Sequence, residues 1–309
     1  VSAILIPTAG EAEWLEARRQ GITASEIAIV MGLSPYSSPF ALYHAKRGDL
    51  PQQADNVEME LGRYLEQFVC RKFADRRPEF GVGGDGRQLY AHPDRPWQLA
   101  TPDRLIREVG RGLDPLAVLE AKTDAGYDGW GEDGSDEIPV HYRCQVLWQM
   151  DVMGVSAGFV ACLFLHSRTL RVYELAMDDA ARADLKLMRD EARDFLRRIE
   201  TGHEPDVDWR PATTAALKRL HPSLEDRQVI VPKGMARAYR AACGRYKSAE
   251  QRKKRLENQI RQRLGSANAA LTRDGAKVAA RQVYEVKEHT RKASTVDKLV
   301  PSKIREEAK

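Results

Sequence analysis

The residues with the clearest chemical promise are Asp103 and the run Leu119-Glu120-Ala121-Lys122. Side chains alternate faces along a strand, so Glu120 and Lys122 point one way while Leu119 and Ala121 turn into packing. Asp103 sits in a turn just after Leu99-Ala100, and lies beside them if its strand neighbours theirs. Two carboxylates on one sheet surface repel each other unless a cation lies between them. Magnesium suits oxygen ligands and keeps several waters, so two carboxylates with a substrate phosphate form a workable set. Lys122 is placed to orient or deprotonate an attacking water, or to neutralise charge growing on the phosphate. The metal would itself activate water and stabilise a leaving oxygen.

The ordinary alternative for an isolated Glu-x-Lys is a surface salt bridge between Glu120 and Lys122. Against it, an ionisable pair flanked by Val118, Leu119 and Ala121 is costly to place near a sheet core. Gln145, on the helix expected after the motif, offers an amide for a water or a phosphate oxygen. Glu66, in Gly62-Arg63-Tyr64-Leu65-Glu66, offers a third carboxylate. The plain reading of both is an exposed helix residue.

Helices and strands must position these groups. Apolar spacing and capping residues predict helices over 11–19, 39–47 and 57–76, the last with Leu61, Leu65, Phe68, Val69 and Phe73 on one face. Thr23 or Ser25 caps another through Val30. From Arg87 the period shortens, and 88–90, 97–100, 104–106 and 117–122 read as strands between Gly, Pro and Asp turns. A helix over 139–153, a buried strand over 157–165, its hairpin partner over 170–175 and a charged amphipathic helix over 178–200 follow. Domain boundaries are expected as a core over 1–210, a proline-containing linker over 211–232 and a basic appendage over 233–309. Within the appendage, 234–264 reads as one helix or two, 277–287 as a strand and 295–308 as a helix.

The 309 residues, 42% hydrophobic and 30% charged, describe an ordinary globular chain with room for one large core. No run approaches the roughly 18 apolar residues of a membrane helix, and residues 1–10 show no secretory pattern. Cys70, Cys144, Cys162 and Cys243 lack paired spacing. They read as buried thiols in a reducing cytoplasm, not as a zinc, iron–sulfur or disulfide framework. The net charge of +4 is unevenly spread: 233–309 carries 21 Lys/Arg against 8 Asp/Glu. That tail suits an anionic partner such as nucleic acid, or is a solvated helical appendage.

Five stretches occur in order: Arg19-Gln20-Gly21-Ile22-Thr23-Ala24-Ser25-Glu26-Ile27; Gly62-Arg63-Tyr64-Leu65-Glu66; Thr101-Pro102-Asp103; Leu119-Glu120-Ala121-Lys122; and Ile138-Pro139-Val140-His141-Tyr142-Arg143-Cys144-Gln145. Over roughly 14–200 the chain resembles the phage lambda exonuclease family, or YqaJ-type viral recombinases, of the PD-(D/E)xK nuclease superfamily. The resemblance implies an α/β, restriction-endonuclease-like fold. This is a central mixed sheet flanked by helices, with a C-terminal helix–strand–helix appendage here.

It also implies a magnesium-dependent 5′→3′ exonuclease that degrades one strand of linear double-stranded DNA for phage-type recombination. Two Mg2+ ions are expected, with Mn2+ as a substitute. The implied partners are double-stranded DNA ends, two further copies in a homotrimer ring and a single-strand annealing protein, with no membrane. By position, Asp103 and Glu120 would be the principal metal ligands, joined by the backbone carbonyl of Ala121. Lys122 and Gln145 would serve the attacking water, and Glu66 a second metal.

The family's 5′-phosphate pocket uses a serine and an arginine. Ser25 matches, at the head of its helix, where free N–H groups favour an anion. Arg19 fits when aligned on Gly21 and is favoured, and Arg18 has the alternative spacing. Met59 falls where an apolar wedge is placed at the duplex end, although an ordinary helix-packing methionine is the stronger reading. The loop over 124–137 and everything beyond Trp209 depart from the smaller lambda-type enzyme. The alternatives are a PD-(D/E)xK endonuclease, or a non-catalytic nucleic-acid-binding protein retaining the fold. The presence of Asp103, Glu120 and Lys122 together weighs against the latter.

Overall fold

The computed structural model describes residues 3–50, 57–110 and 114–283. In chain order the first elements are β1 (Ile4–Ile6), α1 (Glu11–Arg19), β2 (Ile22–Thr23), α2 (Ala24–Val30), α3 (Pro39–Arg47) and α4 (Val57–Arg76). Strands β3 (Phe80–Gly83), β4 (Leu89–His92), β5 (Arg95–Ala100), β6 (Arg104–Glu108) and β7 (Ala117–Asp124) follow. Then come α5 (Val140–Met153), β8 (Ala157–Phe164), β9 (Thr169–Ala176), α6 (Asp179–Thr201) and α7 (Pro211–Leu220).

Alternation along β7 sets the layering. Ala117 and Leu119 face Val69, Cys70 and Phe73 of α4, together with Phe159, Ala161 and Val172 from neighbouring strands. Val118 faces the other way, with Val160, Cys162, Phe164 and Tyr173, toward Val146 and Met150 of α5 and Leu185 and Met188 of α6. Each such side chain contributes on the order of 1.5–3 kcal/mol when fully buried. The sheet between these layers has the order β3-β6-β7-β8-β9. Strands β7 and β8 are parallel, and the other neighbours are antiparallel. A mixed sheet flanked by helices is the architecture the resemblance implies.

A second sheet, ordered β1-β4-β5-β2, joins the N-terminal segment to this core. Its edge strand β2 runs parallel to β5, with Ile22 opposite Gln98. Gly21 permits this approach, because a Cβ there would lie 2.2 Å from the Trp97 carbonyl oxygen. The indole of buried Trp148 then donates to the carbonyls of Ile22 and Leu99, both at 3.2 Å, tying α5 to β2 and β5.

The loop over 124–137 is docked. Trp130 is buried beside Phe164 and Tyr173 and donates to Asp124 at 3.0 Å. Asp133 accepts the Val172 N–H at 2.7 Å and pairs with Arg76.

The structure corrects the expected linker. Residues 211–220 form α7, whose Ala216, Leu217 and Leu220 pack on Phe40 and Leu50. Thr213 also donates to Ser38 at 2.7 Å. Pro211 starts this helix instead of breaking the chain, since the first-turn N–H groups of a helix are unpaired anyway. The first compact unit accordingly runs to Leu224.

The second unit begins at Glu225. Its described part holds one continuous helix, α8 (Lys233–Leu264), and an antiparallel pair, β10 (Ala269–Leu271) and β11 (Lys277–Ala280). No side chain of α8 is buried. The strand expected over 277–287 ends at Ala280, and the helix expected over 295–308 lies outside the described residues. Cys70, Cys144 and Cys162 are buried and Cys243 is half-buried, all four free. Burial pushes the Cys70 and Cys162 thiols up to about 12. No described helix is long and apolar enough to cross a membrane.

Candidate active site

Strands β6 and β7 pair from Ile106↔Ala117 to Arg104↔Leu119 and then part. Continuing the register would set Pro102 opposite Ala121, and proline has no N–H to offer a ladder. The chain turns away there, and the Asp103 carboxylate takes the place of a strand partner, accepting the Ala121 N–H at 2.8 Å. The N–H and C=O of one extended residue point to the same side, so the Ala121 carbonyl faces the same open edge. Asp103 and Glu120 are thereby brought together, as the sequence suggests.

Glu120 is buried, at 2% exposure, on the sheet face covered by α5. A buried carboxylate requires donors, and it has three. Lys122 Nζ and Gln145 Nε2 both donate to Oε1 at 2.5 Å. Gln149 Nε2 donates to Oε2 at 2.7 Å. Gln145 and Gln149 are four residues apart and share one face of α5. Gln149 was not anticipated from the sequence, although its spacing from Gln145 is the signal that could have found it. Its own carbonyl oxygen is buried without a partner.

Burial, and next the neighbouring Glu120 carboxylate, hold the Asp103 carboxyl well above the usual range. For Lys122, burial pulls the ammonium down, but the Glu120 and Asp103 carboxylates outweigh it and the net shift is upward. Glu66 reaches the same cleft, with its carboxylate held by Arg104 Nη1 at 2.8 Å. Arg104 also donates to the Asp103 carbonyl, a role its position beside Asp103 did not reveal. Among the described residues no three His, Cys, Asp or Glu side chains form a ready-made cage. The donor chemistry still suits a hard cation. The Glu120 carboxylate makes the charged form of Asp103 costly, and oxygen is the ligand magnesium prefers.

The N-terminal residues form a second cluster. Arg18 Nη2 donates to Ser25 Oγ at 3.2 Å and to Thr23 Oγ1 at 3.3 Å, and its guanidinium lies 4.4 Å from the Trp14 ring centre. Arg19 is turned outward, paired with Glu16 at 3.3 Å. The fold therefore brings Arg18, and not the favoured Arg19, to Ser25. Consecutive helix residues point about 100° apart, and aligning on Gly21 takes no account of which one faces α2. Lys46, unnoticed in the sequence, locks this corner. Its ammonium donates to the carbonyls of Arg18 and Gly21, both at 2.6 Å, and pairs with Glu26 at 2.7 Å.

One cleft of about 620 Å3 joins these groups. Ser25, Tyr36, Glu66, Asp103, Glu120, Ala121, Lys122, His141, Tyr142 and Gln145 all contribute to its lining. Met59 is on its wall as well, 42% exposed.

Uncharacterized protein YqaJ of Bacillus subtilis (strain 168) is 28% identical over 273 residues, covering 82% of this chain and 78% of that protein. An alkaline exonuclease from Laribacter hongkongensis, LHK-Exo, aligns with a TM-score of 0.47 and 21% identity, over 63% of this chain and 95% of its own. A phage-related exonuclease from Haemophilus somnus 129PT aligns with a TM-score of 0.42 and 8% identity, over 59% and 96%. Residues 13–156 match the family model of the YqaJ-like viral recombinase domain. Asp103, Glu120, Lys122, Gln145, Glu66 and Ser25 all fall inside that span, so the similarity takes in the candidate site residues.

Proposed function

We propose that this protein is a magnesium-dependent exonuclease that degrades one strand of linear double-stranded DNA from its 5′ end, leaving 3′ single-stranded tails for recombination. The observation that carries this reading is the convergence of Asp103, Glu120, Lys122, Gln145 and Ser25 on one cleft. Asp103, Glu120 and the Ala121 carbonyl would hold the metal, with Glu66 available to a second ion. When bound, magnesium supplies water activation and charge neutralisation at the leaving oxygen. Lys122 and Gln145, already hydrogen-bonded to Glu120, hold the attacking water and the phosphate oxygens in line. Ser25, Thr23 and Arg18 receive the 5′-phosphate and set the register of the strand. A ring-shaped homotrimer around DNA and a single-strand annealing partner belong to the same proposal, as does Mn2+ as a substitute ion.

The test uses blunt linear duplex bearing 5′-phosphate or 5′-hydroxyl ends and strand-specific labels, with magnesium, with manganese or with EDTA. Nucleotide release from the 5′ end is expected with either metal and none with EDTA. Cutting of a covalently closed circle would instead identify an endonuclease. Metal-independent binding without release would identify a non-catalytic DNA-binding protein.

A second prediction concerns the phosphate corner. A hydrogen bond to a charged group contributes about 1.5–3 kcal/mol. Arg18→Ala is therefore expected to reduce the preference for 5′-phosphorylated over 5′-hydroxyl ends by roughly 10-fold or more. Arg19→Ala should leave that preference intact. The ratio of rates on the two substrates is internal to each variant, so partial unfolding does not distort it. A larger loss in Arg19→Ala than in Arg18→Ala would reverse the assignment.

A further inference from the structure

Tyr36 is an exposed ring that is nevertheless held in place. It is 71% exposed, a large aromatic surface on the wall of an otherwise polar cleft. Its backbone N–H donates to Ser34 Oγ at 3.2 Å, and Pro35 restricts the backbone just before it. Its hydroxyl meets the Tyr142 hydroxyl at 3.2 Å. The His141 ring lies edge-on to it, with centroids 5.5 Å apart, and His141 is itself 4.0 Å from the Tyr142 ring centre. Tyr142 in turn lies 5.0 Å from the ammonium of Lys122. This aromatic wall is thus continuous with the residues proposed to cut the phosphodiester.

Core packing does not explain the wall, because its leading ring is in solvent. Nor does hydrogen bonding, because His141 Nε2 is shielded from solvent and has no partner. A shielded polar atom of that kind calls for a partner, which a water or a ligand group supplies. A fixed, open ring pays little ordering entropy on stacking, and every nucleobase offers a flat face to such a ring.

The roles proposed for the groups of the cleft point to which base it takes. If Ser25 receives the 5′-phosphate and Lys122 and Glu120 address the next phosphate, a single nucleotide spans the interval. Its base must then rest on the lining of the same cleft, where Tyr36 is the exposed aromatic ring. We propose that Tyr36, backed by His141, is a stacking subsite for the unpaired base of the 5′-terminal nucleotide. The subsite rests on the exonuclease reading and deepens it. It separates the terminal base from its complement, and it accepts all four bases because stacking reads a π-face and not an edge.

The experiment compares 5′-phosphorylated duplexes whose terminal nucleotide is either mismatched, hence unpaired, or abasic. Neither end requires a base pair to be melted, so the comparison isolates the base itself. With the mismatched end, Tyr36→Ala is expected to lower kcat/KM by about 10-fold, whereas Tyr36→Phe keeps the ring and most of the rate. With the abasic end, wild type and Tyr36→Ala should be equal within about two-fold. Equilibrium binding to the same ends by Lys122→Ala protein, with and without Tyr36→Ala, gives a readout that does not require cutting. The same base-dependent difference is expected there.

An equal loss on both substrates, or a Tyr36→Phe variant as poor as Tyr36→Ala, would overturn the stacking subsite. Absence of nucleotide release by the wild-type protein on any linear duplex would overturn the exonuclease reading instead. The two failures are therefore distinct.

Discussion

Lys122→Ala is expected to lower nucleotide release from linear duplex DNA by roughly 10²–10⁴-fold, the range in which positioned proton-transfer and charge-stabilising groups act. Binding of DNA ends should change only a few-fold. The ammonium is the one group in the cleft that touches the Glu120 carboxylate from its own strand, two residues along, at 2.5 Å. It is held there by alternation on β7 and by the Tyr142 ring beneath it. Lys122 is the ammonium paired with Glu120, so its removal takes away that positive charge. Gln145 and Gln149 remain as donors to Glu120 after the substitution, which limits the cost of leaving that carboxylate buried. Because breaking a buried pair can still cost about 3–5 kcal/mol, thermal denaturation belongs beside the assay, and Lys122→Gln supplies a donor without the charge. Degradation at the wild-type rate by a folded Lys122→Ala protein would remove Lys122 from the chemistry.

How far the site could be read in advance depended on the range of the interactions involved. The facing of Glu120 and Lys122 follows from strand period alone, and β7 obeys it. The buried run over 157–164 and its hairpin return likewise need only local pattern, as do α6 and its Asp178 cap, which accepts the Ala181 N–H at 2.7 Å. Strands β1 and β3 were missed because three or four residues carry too little periodicity. Their existence depends on pairing with β4 and β6 far along the chain. The same limit governs the choice between Arg18 and Arg19, which turns on how α1 sits against α2. It also governs α7, whose prolines suggest a linker until Phe40 and Leu50 supply a surface for it. Lys46 bonds to a group 25 residues away, beyond the reach of any local motif, and Gln149, whose partner lies 29 residues away, is signalled only by its spacing from Gln145.

That long-range character concentrates in Trp148, and so does the second large effect expected. Its side chain is fully buried, and its N–H is shared between the carbonyls of Ile22 and Leu99. These are backbone groups of β2 and β5, which carry the chain toward Ser25 and toward Asp103. The same helix carries Gln145 and Gln149 on either side of Trp148 in sequence. One indole therefore fixes the distance between the phosphate corner, the Asp103 turn and the face of α5 that holds Glu120. Trp148→Ala is expected to cost roughly 3–5 kcal/mol for the lost volume, with a further 1–3 kcal/mol if the two carbonyls are left unpaired. For a unit of this size that corresponds to a fall in Tm on the order of 10 °C or more. It takes a large share of a stability typically about 5–15 kcal/mol. Trp148→Phe keeps a six-membered aromatic ring but loses the N–H and the rest of the fused five-membered ring. About 1–3 kcal/mol is then expected from the carbonyls, with a smaller packing loss than in Trp148→Ala, and the protein should still fold. In that folded variant the tie to β2 and β5 is gone while every group lining the cleft is unchanged. Nucleotide release should then fall and the preference for 5′-phosphate should weaken, although neither Ser25 nor Lys122 has been altered. Wild-type activity and phosphate preference in Trp148→Phe would show that the two sheets hold their spacing without the indole. A Tm for Trp148→Ala within about 2 °C of wild type would contradict the packing argument itself.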